Sequence, residues 1–154
     1  MARHNLKRIS AIVVVILGVM SLVLGSMFIA QGFMTKSKVT QRLAAEKITL
    51  GIPEELVVNG DVVDSLEEAE NAANTIAEHL KSIAPSYGDL LGGQRFDPTK
   101  PEQLVYAQGI NLENALEIAA LAYGVTTIVI ASGAFMIIVG ISLILNGVSL
   151  IRPD

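Results

Sequence analysis

Two long stretches of uncharged, apolar residues constrain the fold of this chain more than any other feature. They run from Ile9 to Met34 and from Ile118 to Ile151, and neither contains Asp, Glu, Lys, Arg or His. Each exceeds the ~20 residues that an α-helix needs to cross ~30 Å of hydrocarbon. We therefore predict two membrane-spanning helices, which also explain a hydrophobic content of 51%, high for a soluble domain.

A cleavable signal peptide is the alternative interpretation of the first stretch, because basic residues precede it. Signal peptides have an apolar core of about 7–15 residues, followed by a small-x-small cleavage pattern. The run here is longer, and the residues around Phe28-Ile29-Ala30 fit that pattern poorly. We therefore favour a retained anchor.

Basic residues flank the two spans and predict their orientation. Arg3, Lys7 and Arg8 precede the first span, and Arg152 follows the second. The positive-inside rule then places both short tails, residues 1–8 and 152–154, in the cytoplasm. The intervening segment, residues 35–117, is expected to form an extracytoplasmic domain.

The intervening segment is acidic, and its charge limits the partners that it can bind. It carries seven basic and fourteen acidic residues, a balance of −7. Such a surface repels nucleic acid and anionic lipid headgroups, so neither is an expected partner of this domain.

Local patterns predict a small domain of helices with a β-hairpin between the spans. Asn59-Gly60 lies between the β-branched runs Leu56–Val58 and Asp61–Val63, a strong hairpin signal. Ser65 and Glu68 have the spacing of a capping box and begin a helix that Pro85 ends. This helix has one apolar stripe, which consists of Leu66, Ala69, Ala73, Ile76, Leu80 and Ile83. The stripe most simply packs on the domain itself, and the alternative is that it binds a partner helix.

The membrane helices are expected to extend beyond the lipid. The first has good helix formers as far as Lys47, and Asn111 is a candidate cap for a helix that continues into the second span. The start of that second long helix must then stand outside the hydrocarbon. Glycines and prolines predict a loop from Pro85 to Pro101, while Thr99–Glu102 is typical of a helix start.

Glycines recur every seven residues in both spans, as Gly18, Gly25 and Gly32 and as Gly133, Gly140 and Gly147. A period of seven places each set on one helix face, where small residues let helices approach closely. We predict an antiparallel two-helix hairpin that pairs Gly18 with Gly147, Gly25 with Gly140 and Gly32 with Gly133. Packing between different copies, or glycines without a packing role, are the alternatives.

The sequence contains no recognisable catalytic, cofactor or metal site. There is no cysteine, and His79 has Thr75 and Ile83 one turn away, where a second metal ligand is normally found. The acidic pairs lack the spacing of a calcium loop. The spans carry only weakly polar side chains, which argues against a pump or carrier. We therefore expect no catalytic residues, no cofactor and no metal.

Three features of the sequence resemble those of a known group of proteins. They are a short basic tail, the stretch Ala45-Glu46-Lys47-Ile48-Thr49 and the residues Val63-Asp64 at the entry into an Ala-rich helix. With a helix that merges into the second span, the chain resembles small uncharacterised two-span membrane proteins of bacteria with an extracytoplasmic domain. The resemblance implies a bacterial inner-membrane location, and it does not indicate an activity.

We interpret the chain as a non-enzymatic membrane protein that acts in assembly, with copies of itself or as an accessory subunit of a membrane complex. An extracytoplasmic sensory or small-ligand-binding module is the competing hypothesis, and an apolar pocket beneath the Pro85–Pro101 loop would favour it. An enzyme is the third hypothesis, which His79 close to Asp89 or Asp97 would support.

Overall fold

The computed structural model describes residues 2–151, with side chains from Lys7 onward. Over this range the protein is mostly helical, as predicted, and no strand forms. Five helices follow one another: α1 (Ala2–Glu46), α2 (Glu54–Val58), α3 (Leu66–Ile83), α4 (Tyr87–Leu91) and α5 (Pro101–Ile151).

Two of these helices, α1 and α5, are long and apolar enough to cross a membrane. Their most apolar windows have a mean hydropathy of 2.8 and 2.7. At 1.5 Å per residue, α5 is ~76 Å long, far more than the ~30 Å of a hydrocarbon layer. Residues Ala2–Arg8, which the sequence predicts as a cytoplasmic tail, form the first part of α1. Met1 and residues 152–154, which include Arg152, lie outside the described residues.

The chain forms two compact units, and both long helices contribute to each. The first unit comprises the described residues of Met1–Thr35 and Val125–Asp154. The second comprises Lys36–Gly124. Ile118–Gly124, the start of the predicted second span, therefore belongs to the second unit.

The core of the second unit is built on α3. The capping box is confirmed: Ser65 Oγ accepts from the amide of Glu68, and the Glu68 carboxylate accepts from the amide of Ser65. The segment after α1 passes close to the small residues of α3. A Cβ atom added to Gly51 (φ 79°) would lie only 3.1 Å from the backbone nitrogen of Ala72. One apolar cluster joins this helix to α1 and α5: Leu43, Val63, Ala69, Ala72, Ala73, Ile76, Leu80, Ala84, Tyr106, Leu116 and Tyr123.

The predicted β-hairpin is wrong. Glu54–Val58 is the helix α2, and Asn59-Gly60 ends it, with Gly60 at φ 89°. Hairpin turns and helix C-termini both require a residue with positive φ, so an Asn-Gly pair serves either structure. Two acidic residues in the first turn, Glu54 and Glu55, complement the helix dipole and favour the helix here.

Two further boundaries differ from the sequence-based prediction. The segment from Pro85 to Pro101 contains α4, because Ser86 Oγ accepts from the amide of Asp89 and caps a short helix. A helix does begin within Thr99–Glu102, as predicted, but it is α5 itself, which runs on from Pro101 without a break, so Asn111 lies inside it and caps nothing. Proline at the first helical position needs no hydrogen-bonded N–H, which suits it to start α5.

Candidate functional site

A ladder of small residues forms the contact face of the two helices in the first unit. Its members recur every seven residues and are the buried positions of that unit within the described side chains: Ala11, Gly18, Gly25 and Gly32 on α1, and Thr126, Gly133, Gly140 and Gly147 on α5. The six glycines are the predicted packing residues. Ala11 and Thr126 were not predicted, although each lies seven residues before a member of its set.

The glycines bring the two backbones into direct contact. A Cβ on Gly25 would lie 2.7 Å from Gly133 O, and a Cβ on Gly133 would lie 2.7 Å from Gly25 O. Gly18 and Gly140 have the same reciprocal relationship at 2.8 Å. No larger residue fits at these positions without a shift of the helices, so small residues permit this close approach.

The predicted register of this helix pair is wrong by seven residues. Opposite pairs in the structure are Gly18 with Gly140 and Gly25 with Gly133, while Ala11 O faces Gly147 and Thr126 O faces Gly32. A repeat of seven permits either register. The observed one recruits Ala11 and Thr126 and so aligns four small pairs, whereas the predicted register aligns three.

An aliphatic side chain of the partner helix covers each glycine of the ladder. These side chains share the period of seven and lie one turn beyond the small residue opposite: Val15, Leu22 and Ile29 on α1, and Ile130, Ile137 and Ile144 on α5. Small and large positions therefore interlock along the whole contact, which is how closely packed membrane helices gain van der Waals energy.

Several polar side chains in the first unit donate hydrogen bonds to nearby carbonyls. Ser21 Oγ donates to Met136 O at 2.7 Å and so links the two helices. Ser26, Ser142 and Asn146 donate to carbonyls one turn earlier in their own helices. Gln31, a further polar residue inside the first predicted span, is exposed.

The predicted partner face of α3 lies largely within the second unit's own core. Ala69, Ala73, Ile76 and Leu80 are buried, and Ile83 packs against the same cluster. Leu66 is 37% exposed. A Cβ on Gly109 of α5 would lie 2.6 Å from a methyl group of Leu80, which shows how closely α3 and α5 approach.

Tyr123 connects three segments of the second unit. Its ring is buried, and its hydroxyl donates to the carbonyl of Asp64, just before α3. Thr40 Oγ1 of α1 lies 2.7 Å from the same hydroxyl. Because the single phenolic proton goes to Asp64, Thr40 is the donor in that bond. These two hydrogen bonds, which we call the Tyr123 hub, hold the start of α3 against both long helices.

A groove of about 300 Å³ runs between the long helices of the second unit, and we call it the α1–α5 groove. Ile118 on its wall is 67% exposed, and both charged residues on its rim, Arg42 and Glu46, are exposed. Its lining residues are Val39, Arg42, Leu43, Glu46, Ala115, Ile118, Ala119 and Ala122.

A second groove, of about 330 Å³, lies between α3 and α5 and is lined mainly by aliphatic side chains. We call it the α3–α5 groove. His79 is on its edge beside Thr75, and neither Asp89 nor Asp97 is among its lining residues: Leu50, Thr75, Ile76, His79, Leu80, Val105, Gly109 and Leu112.

The end of the Pro85–Pro101 loop borders a third space, of about 410 Å³, whose lining is mixed: Leu90, Lys100, Pro101, Glu102 and Gln103. It is therefore not the apolar pocket that the ligand hypothesis expects there. Among the described residues, no group of three or more His, Cys, Asp or Glu could hold a metal ion.

Two carboxylates of the second unit have pKa values below their usual range, and both act locally. The amide of Asp64 donates to Glu68, and this bond lowers the pKa of that carboxyl group. Thr99 donates through its hydroxyl and its amide to Asp97, which lowers the pKa of Asp97. Both carboxylates hold local turns of the chain in place.

Comparison of the chain with known protein families, with curated proteins and with solved structures gave no match.

Proposed function

We propose that this chain is a non-enzymatic integral membrane protein that acts in assembly, as a self-associating structural protein or as an accessory subunit of a membrane complex. The observation that carries the proposal is the α1–α5 groove, an apolar surface with Ile118 67% exposed and with no segment of the second unit covering it. Exposed apolar surface rimmed by polar residues is typical of protein interaction sites.

Lipid does not account for the exposure of Ile118. Arg42 and Glu46 line the same groove. A carboxylate and a guanidinium are both costly in hydrocarbon, so a surface that carries them belongs outside the hydrocarbon layer. Ile118 also belongs to the unit of Lys36–Gly124, which has the charged residues Lys36 and Lys38 at its start. A protein partner is the simplest way to remove this side chain from water.

The first unit supports the proposal as an anchor. Its small-residue ladder is used within the hairpin, and its outward side chains are large and apolar, such as Ile12, Leu24 and Phe135. Such side chains suit contact with lipid. We propose a bacterial inner membrane for this unit because the resemblance of the sequence implies it. We propose that both termini are cytoplasmic and the second unit extracytoplasmic because the basic residues Lys7 and Arg8 precede the first span.

Co-isolation of two differently tagged copies tests this proposal. Both copies are produced at native level in the same cells, one is captured in mild detergent, and all recovered proteins are identified by mass spectrometry. Recovery of the second copy supports self-assembly, and stoichiometric recovery of other membrane subunits supports an accessory role. Recovery of the captured copy alone contradicts the proposal.

One observation favours the second candidate, an extracytoplasmic small-ligand-binding module. The α3–α5 groove is apolar, with a hydroxyl from Thr75 and the imidazole of His79 on its edge. Its volume of about 330 Å³ lies near the lower limit for ligand sites. Extraction of the purified protein and mass spectrometry of small molecules tests it: a compound lost in the Leu112→Trp variant supports the module, and an empty wild-type protein contradicts it.

A further inference from the structure

We propose that α1 of one chain packs in parallel against α1 of a second copy within the membrane, with Gln31 of each copy hydrogen-bonded to Gln31 of the other. This inference rests on the proposed function and names its partner. A symmetric pair of chains inserted in the same orientation has its twofold axis along the membrane normal. Each residue at such an axis meets its own counterpart, so a polar residue there must be able to pair with itself.

An exposed heptad pattern on α1 provides the surface for this contact, and we call it the α1 seam. Its members follow one another at alternating steps of four and three residues: Val13, Leu17, Met20, Leu24, Met27, Gln31 and Met34. All seven are exposed, and all belong to the first unit. This spacing is that of the a and d positions of a coiled coil, and most membrane helix bundles share its left-handed packing.

The α1 seam is a different face of α1 from the one that contacts α5. Successive residues of an α-helix are rotated by about 100°, so Gln31 and Met34 point about 100° and 200° away from Gly32. The seam contains no residue of the small-residue ladder and none of the aliphatic side chains that cover it. The hairpin and the proposed contact therefore use separate surfaces of the same helix.

Gln31 is the residue of the seam that favours a protein partner over lipid. It is the one carboxamide in the charge-free run from Ile9 to Met34. Its side chain is exposed, and no group that the structure describes forms a hydrogen bond with it. Lipid chains offer neither donors nor acceptors, so an amide that faces them stays unpaired at a cost in free energy. Side-chain amides in membrane helices instead form hydrogen bonds to a neighbouring helix.

The chemistry of the amide selects a second copy as that neighbour. A carboxamide both donates and accepts, so two of them can exchange N–H···O bonds across a twofold axis, which two like charges cannot do. A different membrane protein would need a polar group at this depth, whereas a second copy supplies one by symmetry. One polar residue at an a position of a heptad seam also sets the register of the helices. Met20, Met27 and Met34 occupy neighbouring layers, where flexible side chains adapt to a facing helix.

Cysteine crosslinking in isolated membranes tests this contact in the full chain, which has no native cysteine. Met34→Cys places a thiol on the α1 seam. Phe33→Cys is the matched control, because Phe33 is adjacent and 58% exposed, against 55% for Met34, but points away from the seam. We expect oxidation to give at least a fivefold larger dimer fraction for Met34→Cys. Equal fractions at both positions, or no dimer at Met34, overturn the proposal.

Substitution of Gln31 on the Met34→Cys background tests the amide pair. Gln31→Leu is expected to reduce the crosslinked fraction at least threefold, because it removes the hydrogen bonds and keeps an apolar side chain of similar size. Gln31→Asn retains a carboxamide and is expected to crosslink more than Gln31→Leu. Lipid headgroups are the competing source of hydrogen bonds, since Lys36 follows five residues later, about 7.5 Å along the helix. Undiminished crosslinking of Gln31→Leu would favour the headgroups and overturn the amide pair.

The results separate this inference from the proposed function. If tagged copies or other subunits are recovered together but Met34→Cys crosslinks no better than Phe33→Cys, assembly stands and the contact through the α1 seam is wrong. If the captured copy is recovered alone and neither cysteine variant crosslinks, both are wrong.

Discussion

Gly25 and Gly133 lie in backbone contact across two antiparallel helices, each with its Cβ position 2.7 Å from the carbonyl oxygen of the other. The contact recurs at Gly18 and Gly140, seven residues away on each helix. A small-residue ladder of this kind holds a two-helix hairpin together without ionisable groups, because close packing drives association in lipid.

Substitution at the ladder is therefore expected to destabilise the hairpin. We predict that Gly25→Ala lowers the free energy of unfolding by about 1–3 kcal/mol, since the new methyl group overpacks the contact. Denaturation by SDS titrated into mild detergent, followed by circular dichroism, measures this change. Gly124→Ala is the control, because a Cβ there meets nothing within 4 Å, and it is expected to leave stability unchanged or raise it slightly. Equal loss in both variants would contradict the ladder.

The register of the hairpin has its own test. Ser21 Oγ lies 2.7 Å from Met136 O, so cysteines at Ser21 and Met136 are expected to form an intramolecular crosslink with a short bifunctional reagent. Cysteines at Ser21 and Leu143 are the control, since Leu143 lies seven residues, about 10 Å, further along α5. Preferential crosslinking of the second pair, detected as a shift in gel mobility of the monomer, would restore the register predicted from sequence.

The Tyr123 hub is expected to contribute to the stability of the second unit. Tyr123→Phe removes the donor to Asp64 O and the acceptor for Thr40, and we predict a loss of about 1–3 kcal/mol because two partly buried polar groups lose this partner. Tyr87→Phe is the matched control, as Tyr87 is 37% exposed. Thermal unfolding in detergent compares the two variants, and equal midpoints would show that the hub adds nothing.

The capping box makes stability depend on pH. The pKa of Glu68 in the folded protein lies below its usual value of 4.5, because the amide of Asp64 donates to the carboxylate. Its contribution is therefore present above about pH 4.5 and is lost as pH falls through the lowered pKa of the folded state. We predict that Glu68→Gln lowers the unfolding midpoint at pH 7 and that its deficit shrinks below pH 4.5.

Glu67→Gln is the control for that pH dependence, because Glu67 is the adjacent carboxylate in the first turn of α3 and takes no part in the capping box. It is expected to keep the wild-type difference between pH 7 and pH 3. A constant deficit of Glu68→Gln across this range would show that the charge of Glu68 does not stabilise the fold.

Features set by local chemistry were predictable from the sequence. Two apolar helices follow from composition, and the start of α3 follows from the spacing of Ser65 and Glu68. Asn59-Gly60 was misread because one local requirement, a positive φ, serves both a hairpin turn and the end of α2. The beginning of α5 at Pro101 was only partly anticipated, since Asn111 offered an equally good cap.

Features set by tertiary contacts were not predictable in the same way. A period of seven cannot choose between two registers until Ala11 and Thr126 are counted with the glycines. The α1–α5 groove combines Arg42 and Ile118, residues far apart in the chain, and α3 determines which face of the helix pair remains uncovered. No local pattern in either helix indicates that surface.

The mass of the intact particle released from its native membrane tests the proposed assembly role most directly. Native mass spectrometry of the full-length protein in mild detergent reports how many chains, and which others, travel together. We predict a particle with more than one protein chain, either several copies of this chain or this chain together with further subunits. A wild-type particle that contains one 16.3 kDa chain and no other protein would contradict the account.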